Sequence, residues 1–359
     1  MNIVVLIGGG RTGIDFLQSL FDQHSQVSQF PGVFFFDEFW KSIENENDPK
    51  KILNHFYKRY EKFFDSRLNL MERHYMLGVN KKSFYLVNKK IFEKEFLKLF
   101  SNKELTKVNL IKALHLAYSI ASGEDASQKK IIILHLHHVF RLKVLDGIKY
   151  ECIYTIRDPL ASYTSLMKNW HNIKKNKQQT PSIYFFHIDR MFNGVKDTTN
   201  LNKKTHVIRL EDLHRKNEKV MRSLCKKINI SYEEKMKNST YHGLVWWGDK
   251  VSGRDINGVN SNFSNKIDEK LFYKKDIKCI EYFMDPFLRK YEYPIREKKE
   301  NCSLIKYLPL KLEIAIWLKT IFSFNLKETL LILYLWYKRV NLMNEKNYKN
   351  VIFPDQIGK

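Results

Sequence analysis

Short unbroken apolar runs recur along this chain, each followed by a polar or glycine-rich turn and then by helical spacing. The runs Ile3–Ile7, Val33–Phe36, Ile131–Leu136, Cys152–Arg157 and Thr205–Leu210 are too short for helices and rich in β-branched and aromatic residues. That predicts strands covered on both faces. Helical patterns fill the intervals, so the chain predicts an α/β fold: a central, mostly parallel sheet between two helical layers. One interval is too long for a simple crossover. From Trp40 to about Gln128 it is helix-rich, with segments Lys51–Phe64, Ile91–Phe100 and Leu105–Ser122 that predict a cap above the sheet's carboxyl edge. A basic, polar stretch, Lys168–Ser182, predicts an irregular flap, and no internal repeat is visible. The expected organisation is one domain over residues 1–300, with the cap inserted at about 40–130, and an amphipathic helical tail over 301–359.

The first run ends in Gly8-Gly9-Gly10-Arg11-Thr12-Gly13, and helical spacing begins at Ile14. Glycines permit a tight turn with exposed amides, and a helix start beside it attracts an anion, most often a phosphate. A Walker loop would need Gly-Lys-Ser/Thr here, which is missing. Gly8, Gly10 and Gly13 also satisfy the dinucleotide fingerprint, with Asp37 and Glu38 as ribose-binding candidates. An NAD(P)-dependent oxidoreductase therefore stays open as an alternative. The run Cys152–Arg157 ends in Arg157-Asp158-Pro159, where Asp158 suits an N-cap and Pro159 the first helical turn. Arg157 would stand at the carboxyl end of its strand, with Ser165 about two turns along the next helix.

Together these motifs resemble sulfotransferases. Gly-x-Arg-Thr-Gly followed by Leu17, Leu20 and Asp22-x-His24 resembles their 5′-phosphosulfate loop, with Arg11 in the place of a frequent Lys. Arg157 and Ser165 resemble their 3′-phosphate site. Arg209-x-Glu211-Asp212-Leu213 is similar to a later strand end, and Ser239-Thr240 with Trp246–Arg254 to the loop that closes over adenine. Glu281 to Pro294 resembles the last core helix. The resemblance spans residues 1 to about 300. It implies a P-loop-like, three-layer fold and a bacterial carbohydrate-type enzyme moving a sulfuryl group from 3′-phosphoadenosine 5′-phosphosulfate (PAPS) to an acceptor hydroxyl on a glycan or glycolipid. It also implies that Gly10, Arg11, Thr12, Gly13, Ile14 and Asp15 hold the 5′ side. Arg157 and Ser165 would hold the 3′-phosphate, and Trp247, Gly248, Ser252 and Gly253 would close the site. Arg11 would stabilise the leaving group. The chain departs from the family at Ile14-Asp15, where a Thr pair is usual, so Asp15 is expected to turn away from the anion or cap the helix.

Two candidates compete for the general base. His135-x-His137 resembles the Lys-x-His of cytosolic sulfotransferases with its Lys replaced, and strand alternation places both rings on one face with His138 opposite. An unperturbed histidine there would titrate near about pH 6.5. Glu38, or its neighbour Asp37, is the alternative, from a neighbourhood that supplies carboxylates in carbohydrate sulfotransferases. No carboxylate or Cys pair stands at ligand spacing in the sequence, so no metal is expected.

Composition changes the picture little. The 359 residues are 43% hydrophobic, enough for a large core, and the formal charge is +23. Its lysines are scattered rather than massed in a tract, so nucleic acid is not the expected partner. Cys152, Cys225, Cys279 and Cys302 show no paired spacing and read as free thiols. No secretory pattern opens the chain, and a cytoplasmic place is expected. The tail's last apolar run is far short of the ~20 residues of a span. Its lysines and tryptophans suit either contact with the inner face of a membrane or packing on the core or a second subunit. A non-enzymatic, nucleotide-binding protein at the membrane and a homo-oligomer both stay open.

Overall fold

The structure is a computed structural model that describes residues 1–101, 103–173, 181–196, 204–250, 255, 258–263, 265–297, 302–322, 326–344 and 353–358. β1 (Asn2–Gly8) leads through the glycine loop to α1 (Ile14–Ser19) and β2 (Val27–Gln29). Between β2 and the third strand come α2 (Phe36–Ile43), α3 (Pro49–Tyr60), α4 (Lys89–Phe100) and α5 (Lys107–Ala121). β3 (Ile131–His137) and β4 (Tyr150–Ile156) follow, then α6 (Pro159–Ile173), α7 (Pro181–Lys196) and β5 (Thr205–Arg209). The chain continues through α8 (Leu210–Arg215), α9 (Asn217–Lys227), the hairpin β6 (Thr240–Tyr241) and β7 (Leu244–Val245), and α10 (Lys274–Lys290). It closes with α11 (Lys311–Phe322) and α12 (Leu326–Leu342).

Strands β1 to β5 form one parallel sheet in the order β2-β3-β1-β4-β5. Ile3 to Ile7 are all buried, as a central strand between two helical layers requires. The step from β1 to β2 runs one way across the sheet and the later steps run the other. Right-handed crossovers therefore place helices on both faces. This order also decides against the dinucleotide alternative. In that fold the second strand lies beside the first, and its carboxylate reaches the ribose. Here β2 is an edge strand separated from β1 by β3, so Asp37 and Glu38 are far from that position.

The predicted strand Val33–Phe36 does not form. Gly32, at φ 128°, turns the chain after Phe30, and Phe36 already opens α2. The backbone there is satisfied by side chains instead of a ladder: Gln18 Nε2 donates to Phe30 O (2.8 Å), and Tyr60 OH to Phe35 O (3.1 Å). Only Phe34 N still donates to the sheet, to His135 O (3.0 Å). The true strand, β2, lies earlier. The three phenylalanines Phe34, Phe36 and Phe39 instead enter an aromatic core with Phe56, Tyr60 and Phe92, which holds the helices of the long interval together. α5 lies against the sheet: Ser28 Oγ of β2 donates to His115 O at 2.9 Å. Most of the predicted flap Lys168–Ser182 is not irregular where it is described, since α6 runs to Ile173 and α7 starts at Pro181; residues 174–180 lie outside the described residues.

Candidate active site

The glycine loop sits at the carboxyl end of β1, in the middle of the sheet. Two of its glycines are required by close approach. A Cβ on Gly8 would lie 2.5 Å from Thr155 Oγ1 and 2.6 Å from Thr12 Oγ1, and these two hydroxyls bond each other at 2.9 Å. Gly13 has φ 82°, and a Cβ there would lie 2.3 Å from Leu210 Cδ1. Ser162 Oγ of α6 donates to Gly10 O (2.5 Å), which ties the loop to the end of β4. Arg11 is itself left-handed, at φ 58°, a conformation that costs a non-glycine residue about 1–3 kcal/mol and collects at functional sites. Ile14 is buried, so it can offer only its backbone amide. Because α1 has six residues, its dipole is a modest attraction, and the guanidinium of Arg11 is the stronger one.

That guanidinium bridges two distant parts of the chain. Its Nη1 donates to Asp249 Oδ2 (2.7 Å), and its Nε to Ser165 Oγ (3.3 Å). Arg157 approaches from β4, with Nη1 3.5 Å from Arg11 O. Asp158 does not pair with Arg157; it caps Ala161 N (3.1 Å) and binds Arg296 Nη2 (2.5 Å). Glu211 accepts from Asp158 N (3.1 Å) and from Asn265 Nδ2 (2.5 Å), and Asn265 Oδ1 in turn accepts from Arg157 Nε (3.2 Å). Arg157 is thus oriented through neutral acceptors and lies over the Phe263 ring (5.5 Å), with no carboxylate in ion-pair contact among the described residues. Burial lowers its pKa, the expected penalty for a guanidinium kept from water.

The histidines stand at the end of the neighbouring strand, β3. Pairing with β1 slips there: Leu6 faces His135 but Ile7 faces His137. At the slip His137 takes φ 70°, and its Nδ1 lies 3.3 Å from His135 Nε2. A chain of donors sets the tautomers. Gln18 Nε2 donates to Phe30 O, so its Oε1 is the acceptor that faces His135 Nδ1 at 2.7 Å. His135 must then carry its proton on Nδ1 and accept on Nε2. His137 is left donating from Nδ1, and its Nε2 keeps a lone pair. Burial, with Arg190, Arg141 and Arg11 adding repulsion, lowers the His137 pKa to about 3. The expectation of titration near pH 6.5 is therefore corrected: this ring is neutral throughout the physiological range. His138, pushed down to about 2 by burial, lies with Nδ1 2.6 Å from Arg190 Nη2.

Asp15 reaches the same place, its Oδ1 3.9 Å from His135 Nδ1. Burial raises its pKa to about 7, helped by Glu72 and Asp249, so it holds a proton to far higher pH than an ordinary carboxyl. The repulsion expected between Asp15 and an anion is reduced accordingly. Asp15, His135 and His137 bring one ligand atom each within 4.8 Å of one another, a carboxylate–histidine grouping that spacing in the sequence did not show. The grouping suits a cation poorly. His135 Nδ1 is committed to Gln18, and three guanidinium groups oppose positive charge at His137.

Glu38 and Asp37 stand apart, on α2, and are occupied. Arg141 donates to Asp37 Oδ1 (2.5 Å) and Glu38 Oε1 (2.7 Å), while Arg59 contacts Glu38 Oε2. Trp247 donates from its indole to Gly78 O (2.7 Å), with Lys81 over its ring; Gly248 takes a left-handed turn that delivers Asp249 to Arg11. Ser252 and Gly253 lie outside the described residues. A narrow crevice, half open to solvent, runs under the loop past Gly10, Thr12, Thr155, Arg157 and Arg190. Asp249, Asn265, Gln18 and Arg190 were not singled out in the sequence. Of these only Asp249 left a signal there, beside Gly248 in the closing-loop motif.

No family model and no curated protein matches the sequence. Among solved structures the chain is similar to a sulfotransferase domain from the Synechococcus PCC 7002 olefin synthase, at 12% identity over 71% of this chain and 81% of that one, with a TM-score of 0.38. It is also similar to a sulfotransferase domain from the curacin biosynthetic pathway, at 18% identity over 75% and 88% of the two chains, with a TM-score of 0.37. A third is a sulfotransferase from Mycobacterium avium, at 10% identity over 66% and 65% of the two chains, with a TM-score of 0.36. Likeness at this level leaves any functional reading to the chemistry of the site itself.

Proposed function

We propose that the protein is a sulfotransferase that moves a sulfuryl group from PAPS to an acceptor hydroxyl on a glycan or glycolipid. One observation carries this reading: Arg11 of the loop, Arg157 and Ser165 of the β4–α6 segment, and the base-ready His137 converge at the carboxyl edge of one sheet. When bound, PAPS supplies the activated sulfuryl group and a phosphate leaving group. The loop amides from Gly10 to Asp15, with Arg11, would hold the 5′ side, and Arg157 with Ser165 the 3′-phosphate. His137 Nε2 takes the acceptor's proton as the acceptor oxygen bonds to sulfur. The bond from sulfur to the bridging oxygen breaks, and Arg11 stabilises the charge left on that oxygen. Bound phosphates would also offset the arginines that depress His137, which makes it a stronger base in the loaded site. Glu38 is the weaker candidate because both its oxygens are held by guanidinium groups. Exposed Phe140 and Phe186, beside His138 and Arg190, offer ring faces on which a sugar can rest.

The decisive experiment is transfer of labelled sulfate from PAPS to a panel of glycans, paired with thermal shift. Adenosine 3′,5′-bisphosphate should stabilise the protein well beyond AMP or NADH, because it alone fills both anion sites. Equal shifts with AMP would refute the two-site assignment. Binding of the bisphosphate without transfer to any hydroxyl would leave a nucleotide-binding protein and remove the enzyme.

A further inference from the structure

The tail is docked on the core by one face and leaves a second apolar face outside. α11 and α12 are locked by a buried ion pair: Arg339 Nε donates to Glu313 Oε1 (2.9 Å) and Nη2 to Glu313 Oε2 (3.0 Å). Arg339 also donates to Leu308 O (3.0 Å), and α12 packs along α7 with Ile332 and Arg339 buried on one side, while Val340 is buried at the C-terminal end of the other. The opposite side of α12 carries Leu326, Leu330, Leu333 and Tyr337, a helical stripe at spacings that share one face, and all four are exposed. On α11, Leu318 and Phe322 are exposed one turn apart; Leu326 and Phe322 are 74% and 73% accessible. A helix that is apolar on two opposite sides normally has both covered.

We infer that this face rests on a phospholipid bilayer surface bearing anionic headgroups. The charge around it selects that occupant. On α12 itself the exposed lysines Lys327 and Lys338 flank the stripe, against Glu328 on the same helix and Asp189 of α7 facing Lys338, in a chain of net charge +23. Tyr334 and Tyr337, both about half exposed, add rings of the kind that settle at headgroup depth. A second copy docking through the same face would bring these lysines together across a two-fold axis. No helix among the described residues is long and apolar enough to cross a membrane, so the contact is one of a hairpin lying in the interface.

The test is co-sedimentation of the full chain with vesicles of phosphatidylglycerol and phosphatidylcholine, against phosphatidylcholine alone. The chain should pellet with the anionic vesicles only, and raised salt should release it. Leu330→Glu with Leu333→Glu should weaken binding at least about tenfold while leaving the thermal shift by adenosine 3′,5′-bisphosphate unchanged. Lys327→Glu with Lys338→Glu should do the same through charge. Unchanged binding in the leucine variant, or equal binding to both vesicles, would overturn the inference. So would a dimer, seen by ultracentrifugation, that the leucine variant dissolves while neither vesicle is bound. The vesicle readout is independent of sulfuryl transfer, so either idea can fail alone.

Discussion

The ion pair between Arg11 and Asp249 makes a strong prediction about affinity. The two groups meet at 2.7 Å with side chains only 18% and 15% exposed, so the pair is partly shielded from solvent. An anion bound at the loop must compete with Asp249 for the same guanidinium and lie near its negative charge. A charge-assisted hydrogen bond is worth about 1.5–3 kcal/mol, and residual exposure reduces that. Asp249→Asn should therefore tighten adenosine 3′,5′-bisphosphate by roughly 5- to 100-fold, at about 1.4 kcal/mol per tenfold. The same change leaves Arg11 with a weaker partner in the ligand-free protein, so its Tm without ligand should fall and recover on saturation. Titration calorimetry at one fixed salt concentration measures the first effect, and thermal unfolding with and without nucleotide the second. Unchanged or weaker binding in Asp249→Asn would refute the competition and recast Asp249 as the group that aims Arg11 at its ligand.

What could be read from the sequence was whatever short-range physics dictates. Ile3–Ile7 announces a strand because a central parallel strand must be apolar on both faces, and the glycines after it announce a turn. Asp158-Pro159 announces the start of α6 for equally local reasons. Val33–Phe36 misleads because its run of rings suits a strand and an aromatic core equally; Gly32 and the side chains of Gln18 and Tyr60 decide it, and they come from other elements. The strand order was not legible, although it alone separates the two readings of the glycine fingerprint. Asp249 and Asn265 join the site across 238 and 108 positions, a separation no spacing rule addresses. The left-handed backbone of His137 accompanies a register slip, and the tautomers of His135 and His137 depend on a glutamine whose partners are themselves set by tertiary packing.

Arg157→Ala should weaken adenosine 3′,5′-bisphosphate several-fold to a hundredfold and leave AMP nearly unchanged in calorimetry; an equal loss for both would place Arg157 outside the 3′ site. His137→Ala should lower kcat by about 10²–10⁴ with saturating PAPS, whereas Glu38→Gln should stay within a few-fold. The reverse ranking would move the base to α2. Gln18→Leu should reduce kcat without changing bisphosphate affinity, because it frees His135 to take the other tautomer, and an unaltered rate would dissolve the relay. Proton linkage supplies the last test. Burial holds His137 at about 3 and His115 and His242 at about 4, below the 6.5 of an exposed ring. Their stabilising share is complete above pH 6.5 and is lost as pH falls through those lower values, where the unfolded chain binds more protons. Asp15 acts with the opposite sign. Its pKa is raised from 3.8 to about 7, so the folded state holds a proton that the unfolded state has released. Its share is complete below pH 3.8 and declines as pH rises through about 7. Asp15→Asn, which cannot ionise, should then gain Tm over the native protein, a gain that grows from about pH 4 and levels off above about pH 7. A gain of the same size at every pH would mean that Asp15 is felt through its shape and hydrogen bonds, and its carboxylate would be charged beside the anion after all.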